Sequence, residues 1–418
     1  MLSLVVSFFG CRYQGLDEYV NTHIKPIQGI DTSIQNYDDL KTIGDAIGES
    51  RIVMLGEQDH GDAPTFLAKT RLVKYLHEKK GFNILAFESD IYGLTQGWKE
   101  LSKQSPSIDS FIKKNIFSIW ARCDACTDLF YTYIPQTYKT SQPLILSGFD
   151  NQLTLAFSKK SLTKDLDSVL STLKIPYTNT SNYRTIFLPA LDTLLNGFKK
   201  VDDIHKDVVI QLKPALITIK KECLTKISND NYWILILDNL IAFNDQFFNH
   251  LNKNIAVAMD TRDTQMALNL EWLLKFMYPE EKIIVWAHNW HVAKYTDQIS
   301  GQQHKAKSMG TYFTNKSDWH AQTYVLAFTS AIGSTGRITS DTTYTIDFNA
   351  DEGLERLLKQ KKLPYAFLDF KASNNNVFNQ LKPFLMKGFS HTYSKERWNR
   401  AFDGIFYIEN MYPCTRIP

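Results

Sequence analysis

His288 and His291 stand three residues apart at the end of the apolar run IIVWAHNWHVAK (Ile283–Lys294), in a chain of 418 residues with only ten histidines. An imidazole gains nothing from a buried strand, because it must find a hydrogen-bond partner or lose its solvation. Three other apolar runs end in the same way. RIVMLGE runs into GEQDHG, which sets Glu57 and His60 just past its end; FNILAFES ends with Glu88; PLILSGFD ends at Asp150, followed by Asn151 and Gln152. Imidazole titrates near neutrality, so a histidine beside a carboxylate can act as a general base whose tautomer is fixed and whose charged form is stabilised. Taken singly, each residue has an ordinary reading: Glu57 or Glu88 as a helix-cap acid, His60 as a loop histidine, H-x-x-H as a weak metal signal. Four tips with one habit are a different matter. Two acids and three histidines in one crevice would supply a base, its orienting partner and a polarising group.

The elements that must position these residues follow from patterning. Seven short β-rich runs (51–57, 82–89, 143–150, 282–289, 323–329, 365–370 and 404–410) alternate with helical stretches. The first four are nearly continuous in apolar residues, as strands buried on both faces should be. TFLAKTRLVKYLHEKKG (65–81) has helical spacing and a glycine stop. The reading is an α/β fold: a mainly parallel central sheet flanked by helices, with ligands bound outside the carboxyl ends of the strands. Between Leu153 and Met277 the strand pattern gives way to helices, so a helical lobe is expected as an insertion. The expected organisation is a lead over 1–20, the first part of the α/β domain over 21–152, the lobe over 153–277 and the second part over 278–418.

A net charge of +3, with no basic block or aromatic–basic repeat, argues against nucleic acid. The favoured partner is a small molecule, and no protein partner is expected. Five cysteines (Cys11, Cys123, Cys126, Cys223, Cys414) make no disulfide framework. Cys123 and Cys126 form a C-x-x-C without the second half of a zinc site, and are read as two helical cysteines without special chemistry. MLSLVVSFFGC is too short to span a bilayer. It is similar to the tail of a bacterial lipoprotein signal without its basic start, which makes Cys11 a candidate lipid anchor. A location in the bacterial cytoplasm and export as a membrane-anchored lipoprotein both stay open.

GEQDHG, NILAFES, DTRDTQMALNLEWLL (260–274) and VWAHNWHVAK resemble, in order and spacing, the erythromycin esterase family, whose usual forms are GE-x-x-HG, a strand ending in glutamate, RD-x-x-MA-x-N and AHN-x-H. MGTYF (309–313) and FDGIFYIEN (402–410) fit its later segments, so the likeness runs from about Asp38 to Ile408. The resemblance implies a hydrolase that opens macrolide lactones with an activated water and no covalent acyl-enzyme. Carried over position by position, it makes His60 the general base, Glu57 and Glu88 the acids that orient the base or the water, and His288 and His291 the paired histidines of the late motif. Lys69 falls where the family has a basic residue, although an ammonium does not reproduce a guanidinium fork. Arg71 is a second cation on the same helix. Arg262 and Asp263 match the RD pair, for which a structural ion pair is the ordinary reading, and Arg262, with Arg71, Asp150 and Gln152, is a candidate substrate contact.

The chemistry is coherent without the family. Water attack on an ester needs a neutral imidazole, and the oxyanion needs donors, for which Lys69, Arg71 or a protonated His288 would serve. No G-x-S-x-G elbow is present. The expectation is therefore an ester or lactone hydrolase without a cofactor. Two alternatives stand beside it: a metal-dependent hydrolase of the TIKI/ChaN-like type, with His60, His288, His291 and a glutamate as ligands, and a non-catalytic surface lipoprotein that holds a ligand.

Overall fold

Apolar runs without polar interruption become strands with both faces covered. In the computed structural model, which describes residues 15–196, 203–299, 306–374 and 381–418, β2 (Ile52–Leu55) is buried at every position and β5 (Lys282–Trp286) at all but its first. With β1 (Ile24–Pro26), β3 (Phe82–Asp90), β4 (Ile145–Asp150), β6 (Thr323–Thr335), β7 (Tyr344–Thr345), β8 (Tyr365–Asp369) and β11 (Gly404–Met411), they form a nine-stranded sheet among the described residues. The order is β1-β8-β11-β6-β2-β5-β3-β4, with β7 beside β6; β9 (Phe384–Met386) and β10 (Ser394–Glu396) form a separate pair. β11, β6, β2, β5, β3 and β4 run parallel, while β8 opposes β11. All seven expected strands are present. The four additional ones are two or three residues long, too short to carry a periodic signal.

One apolar layer lies on each face of the sheet. Helix Ala63–Lys80 covers one of them through Phe66, Leu72, Val73 and Leu76, and ends at Gly81 in the left-handed region (φ 74°). The stretch between β4 and β5 is helical, with Ala156–Thr172, Leu188–Asn196, Asp203–Cys223, Tyr232–Leu251 and Ile255–Trp272 as its longest helices. It carries its own apolar cluster, including Leu166, Leu191, Leu216 and Leu240. Cys11 and the candidate signal lie outside the described residues. Among the described residues no helix is long and apolar enough to cross a membrane.

One cysteine expectation is corrected. Cys123 is bonded to Cys414 across 291 residues, while Cys126 and Cys223 are free and buried. Nothing in local spacing announces such a bond. The C-terminal segment reaches Cys123 because its backbone is stitched along the way: Ala63 N–H donates to the Tyr412 carbonyl (3.1 Å), Cys414 N–H to Gly61 (2.8 Å) and Asp124 N–H to Thr415 (3.0 Å). Closing so long a loop should stabilise by about 5–6 kcal/mol in the chain-entropy view. Cys123→Ser, or a reducing agent, is expected to lower the urea midpoint and to steepen the slope, because the unlinked denatured chain exposes more surface. Equal midpoints for the reduced and oxidised protein would show that the bond carries no stability.

Candidate active site

The strand order decides which tips meet. β5 lies between β2 and β3, and β4 lies next to β3, so Glu57 and His60, then His288 and His291, then Glu88, then Asp150 follow adjacent strand ends. Gly56 lets β2 and the turn after β5 come together, since a Cβ there would lie 2.0 Å from Asn289 Oδ1. Asn289 then clasps the turn: its N–H donates to the Glu57 carbonyl (2.8 Å), and its side-chain amide donates to the carbonyls of Phe328 (2.8 Å) and Gly388 (2.7 Å). The glycine of GE and the asparagine of AHN are thus two halves of one joint.

Glu57 is fully buried and fully engaged. Its Oε1 accepts from His60 Nδ1 (2.8 Å) and Trp120 Nε1 (2.9 Å), and its Oε2 from Lys69 Nζ (2.6 Å). Burial opposes its charge, but Lys69 and His60 outweigh burial and hold its pKa below the usual carboxylate value. Lys69 is itself inaccessible, lies over the Trp286 ring at 4.1 Å, and is pushed down to about 8 by burial against the pull of Glu57. It holds Glu57 and does not reach the cleft, which corrects its expected place as an oxyanion donor. His60 keeps 15% of its side chain exposed. With Nδ1–H committed to Glu57, Nε2 is the nitrogen left to take a proton.

On the far wall, His288 donates through Nε2 to the Gln58 carbonyl (2.9 Å) and accepts the Trp290 N–H at Nδ1 (3.1 Å). Its ring centre lies 5.2 Å from that of His60. Burial first, then the neighbouring His60 and His291, push its pKa down to about 3, so it is neutral and the expected protonated His288 is corrected. The other histidine behaves oppositely. His291 gives Nδ1–H to Asp263 (2.7 Å) and lies 3.2 Å from Glu88 Oε1; burial lowers its pKa, but the two carboxylates overcome this and raise it to about 10.

Arg262 completes this wall. Its Nη2 reaches Glu88 Oε1 (2.8 Å) and Asp150 Oδ2 (2.6 Å), and its Nε reaches Asp150 Oδ1 (3.2 Å). Arg262 Nη1 and His291 Nε2 stand 3.2 Å apart, two donors drawn together by the Glu88 oxygen they share. Burial acts against the Glu88 charge, yet His291 and Arg262 hold its pKa well below normal. Its other oxygen accepts the His288 N–H at 3.0 Å.

Two expected contacts fall elsewhere. Arg71 is buried in a fork with Asp39 (2.6 and 2.7 Å) and donates to the carbonyls of Gly29 and Asn36; it anchors the N-terminal segment away from the cleft. Gln152 is placed by its N–H to Asp150 Oδ1 (3.1 Å), and no described side-chain contact ties it to the histidines. Sequence reasoning missed Trp120, which has no motif, and Asp263 as the His291 partner, although RD-x-x-MA had marked its position. It also missed Arg337 at the rim, 46% exposed and paired with Asp59 (2.9 Å). Ser330, His391 and Asp62 form a hydrogen-bonded chain (3.2 and 3.0 Å), but the buried Ser330 hydroxyl donates to Gln58 (3.0 Å) and Asp62 clasps the loop through Asp59 N–H and Thr335. That chain is scaffolding for the GEQDHG loop.

With this geometry in view, comparison with known proteins decides the family. The erythromycin esterase profile matches residues 77–411. The chain belongs to the erythromycin esterase family. Relatives extend the likeness over the part before residue 77, which holds Glu57, His60 and Lys69. The Bacillus subtilis protein YbfO is 25% identical over 96% of this chain and 92% of its own. Erythromycin esterase type II of Escherichia coli is 23% identical over 90% and 93%. The structure of the erythromycin esterase EreC, in an open conformation, superposes with a TM-score of 0.66 at 16% identity over 94% of this chain and 98% of that one. This esterase-family fold is therefore the mixed α/β arrangement with a mostly parallel sheet flanked by helices.

The paired histidines make acid stability testable. Unfolded, His288 binds a proton near pH 6.5; folded, it does so only near 3. Between those values the unfolded chain holds more protons, so stability present above pH 6.5 is lost as pH falls through the window. His291 has the opposite sign: its contribution is complete below 6.5 and is lost as pH rises towards 10. His288→Asn should flatten the fall of the urea midpoint between pH 6.5 and 4.5. An unchanged acid limb in that variant would refute the assignment.

Proposed function

We propose that this cleft hydrolyses an ester or lactone by direct attack of water, with His60 as the general base. The observation that carries the reading is the Glu57–His60 pair: a carboxylate kept ionised by Lys69 and Trp120 holds Nδ1–H at 2.8 Å and leaves Nε2 basic. His60 takes the proton from water as its oxygen bonds to the acyl carbon, and Glu57 stabilises the imidazolium. The protonated imidazole then returns the proton to the departing alkoxide. Arg262, whose Nη1 is not bound to a carboxylate, is the donor this wall offers the oxyanion, and Glu88 orients it together with His291. The family supports hydrolysis; the relatives' macrolide chemistry suggests cyclic esters as the first substrates to try.

The donor set also bears on the metal-dependent alternative. Both oxygens of Glu57 and Glu88 already accept hydrogen bonds, and both ring nitrogens of His288 and His291 are engaged. A divalent ion would meet one uncommitted nitrogen, on His60, and would have to break the ion pairs to gain others. These residues fit a proton-transfer site better than a metal shell.

The test is single-turnover hydrolysis in ¹⁸O-water over a panel of esters and macrolactones, after dialysis against a chelator. One labelled oxygen should appear in the released acid, with no acyl-protein adduct by intact mass. A panel with no turnover, a trapped acyl-enzyme, or activity restored only by added metal would each overturn the reading.

A further inference from the structure

A cavity of about 650 Å³ lies at the opposite edge of the sheet from His60, where Ser50 and Asp403 precede β2 and β11 and Thr323 opens β6. Four cations line it: Lys294, Lys371, Arg397 and Arg400. Asp403 is the one acid on its described lining, and it is already spent, binding Lys294 Nζ at 2.6 Å through Oδ1 and the Val325 N–H at 2.8 Å through Oδ2. Lys371 donates to the Ala46 carbonyl (2.5 Å) and lies over the Tyr324 ring. Asp369 feels the Lys371 charge but takes the Tyr324 hydroxyl at 2.9 Å. Arg400 stacks over Tyr295 at 5.0 Å. Among the described residues neither Arg397 nor Arg400 has a carboxylate within ion-pair distance, and both are exposed. A second cavity of about 270 Å³ adjoins, sharing Lys294, Tyr295, Arg397 and Arg400 and adding Lys395 and Glu396.

Two exposed guanidiniums without a carboxylate partner among the described residues, with Lys371 beside them, give the hollow an excess of positive charge that a polyanion would neutralise. A basic face on a surface spreads its charges into water; here they converge on a hollow large enough for a ligand of several rings or groups. Two guanidinium forks match the oxygens of phosphate or carboxylate in a way point charges do not. Tyr295 and His320, with ring centres 6.1 Å apart, give the same hollow a flat aromatic side.

We infer that this cavity is a second ligand site, one that takes a small polyanion carrying phosphate or carboxylate groups, separate from the hydrolytic cleft. Lys294 and Tyr295 come three and four residues after His291, and Tyr295 sits in the left-handed region (φ 55°). A ligand held there would steady the segment that leaves the far wall of the cleft. The inference does not depend on which reaction the cleft performs.

Isothermal titration of the full chain with pyrophosphate, ribose 5-phosphate and citrate tests it. One saturable site is expected for at least one of them, and the pattern across the three separates phosphate from carboxylate preference. The Arg397→Gln/Arg400→Gln double variant should bind about tenfold more weakly or worse, with an unchanged melting temperature in the absence of ligand because both side chains are exposed. His60→Ala should bind as the wild type does, which excludes capture in the cleft. Absence of saturation with all three up to ~10 mM, equal affinity in the double variant, or loss of binding in His60→Ala would each overturn the inference.

Discussion

His60→Ala is expected to lower kcat/KM by ~10²–10⁴, the usual contribution of a positioned general base, while the protein stays folded. The side chain is partly exposed, and its described side-chain hydrogen bond is the one to Glu57. Glu57 would keep Trp120 and Lys69 as donors, so no carboxylate is left bare. Added imidazole should restore part of the rate, since the vacated space opens towards the cleft. Glu57→Gln should cost less in rate, because an amide oxygen can still accept from Nδ1–H but does not stabilise the imidazolium, and it should cost stability too, since the amide NH2 then meets the buried Lys69 ammonium. Unaltered hydrolysis by a folded His60→Ala variant would end the proposed mechanism.

The second large effect should fall on stability. Arg262 and His291 are the two cations facing three carboxylates, Glu88, Asp150 and Asp263. Arg262 leaves only 17% of its side chain to solvent, and Glu88 and Asp150 are almost wholly buried. Arg262→Ala would strand the buried Asp150, leaving it the Gln152 N–H, while Glu88 keeps His291 and the His288 N–H; removing one partner of a buried pair typically costs about 3–5 kcal/mol. Urea unfolding at neutral pH should show the loss, and the deficit should shrink as the pH falls and the acids take up protons. Arg262→Lys should recover part of the stability and little activity, as one ammonium cannot grip Asp150 at two points while holding Glu88. A loss below ~1 kcal/mol would place the network's energy elsewhere.

The strand tips were legible because an apolar run buried on both faces stops where the apolar layers give way to a polar site, and Glu57, Glu88, Asp150 and His288 mark those stops. That they face one another follows from strand order, which no local pattern contains. Arg71 was misplaced for a simple geometric reason: it stands two positions from Lys69, and residues two apart on a helix point to nearly opposite sides. Lys69 turned inward to the sheet and Arg71 outward to Asp39. The charge states of His288 and His291 were equally beyond a sequence reading. Both are imidazoles on one short turn, and what separates them is a carbonyl and an N–H around the first and two carboxylates around the second. Cys123 and Cys414 read as unrelated because the fold, not the spacing, brings them together.

The position of β5 between β2 and β3 also sets a schedule. On a ribosome the strands that end in Glu57 and Glu88 emerge early, yet they are not hydrogen-bonded to each other and have nothing to pair with on their shared side until Lys282–Trp286 follows. At typical elongation speeds the interval between His60 and His291 is roughly 10–50 s. Throughout it the nascent chain carries two apolar strand edges with an open slot between them, a template for any stray extended segment. The site can therefore be completed only late, once β5 has filled the slot and Phe328 and Gly388 have followed to hold Asn289. Chaperone demand should concentrate in that interval, and ribosome-bound fragments ending before residue 282 should be protease-sensitive throughout this half of the sheet.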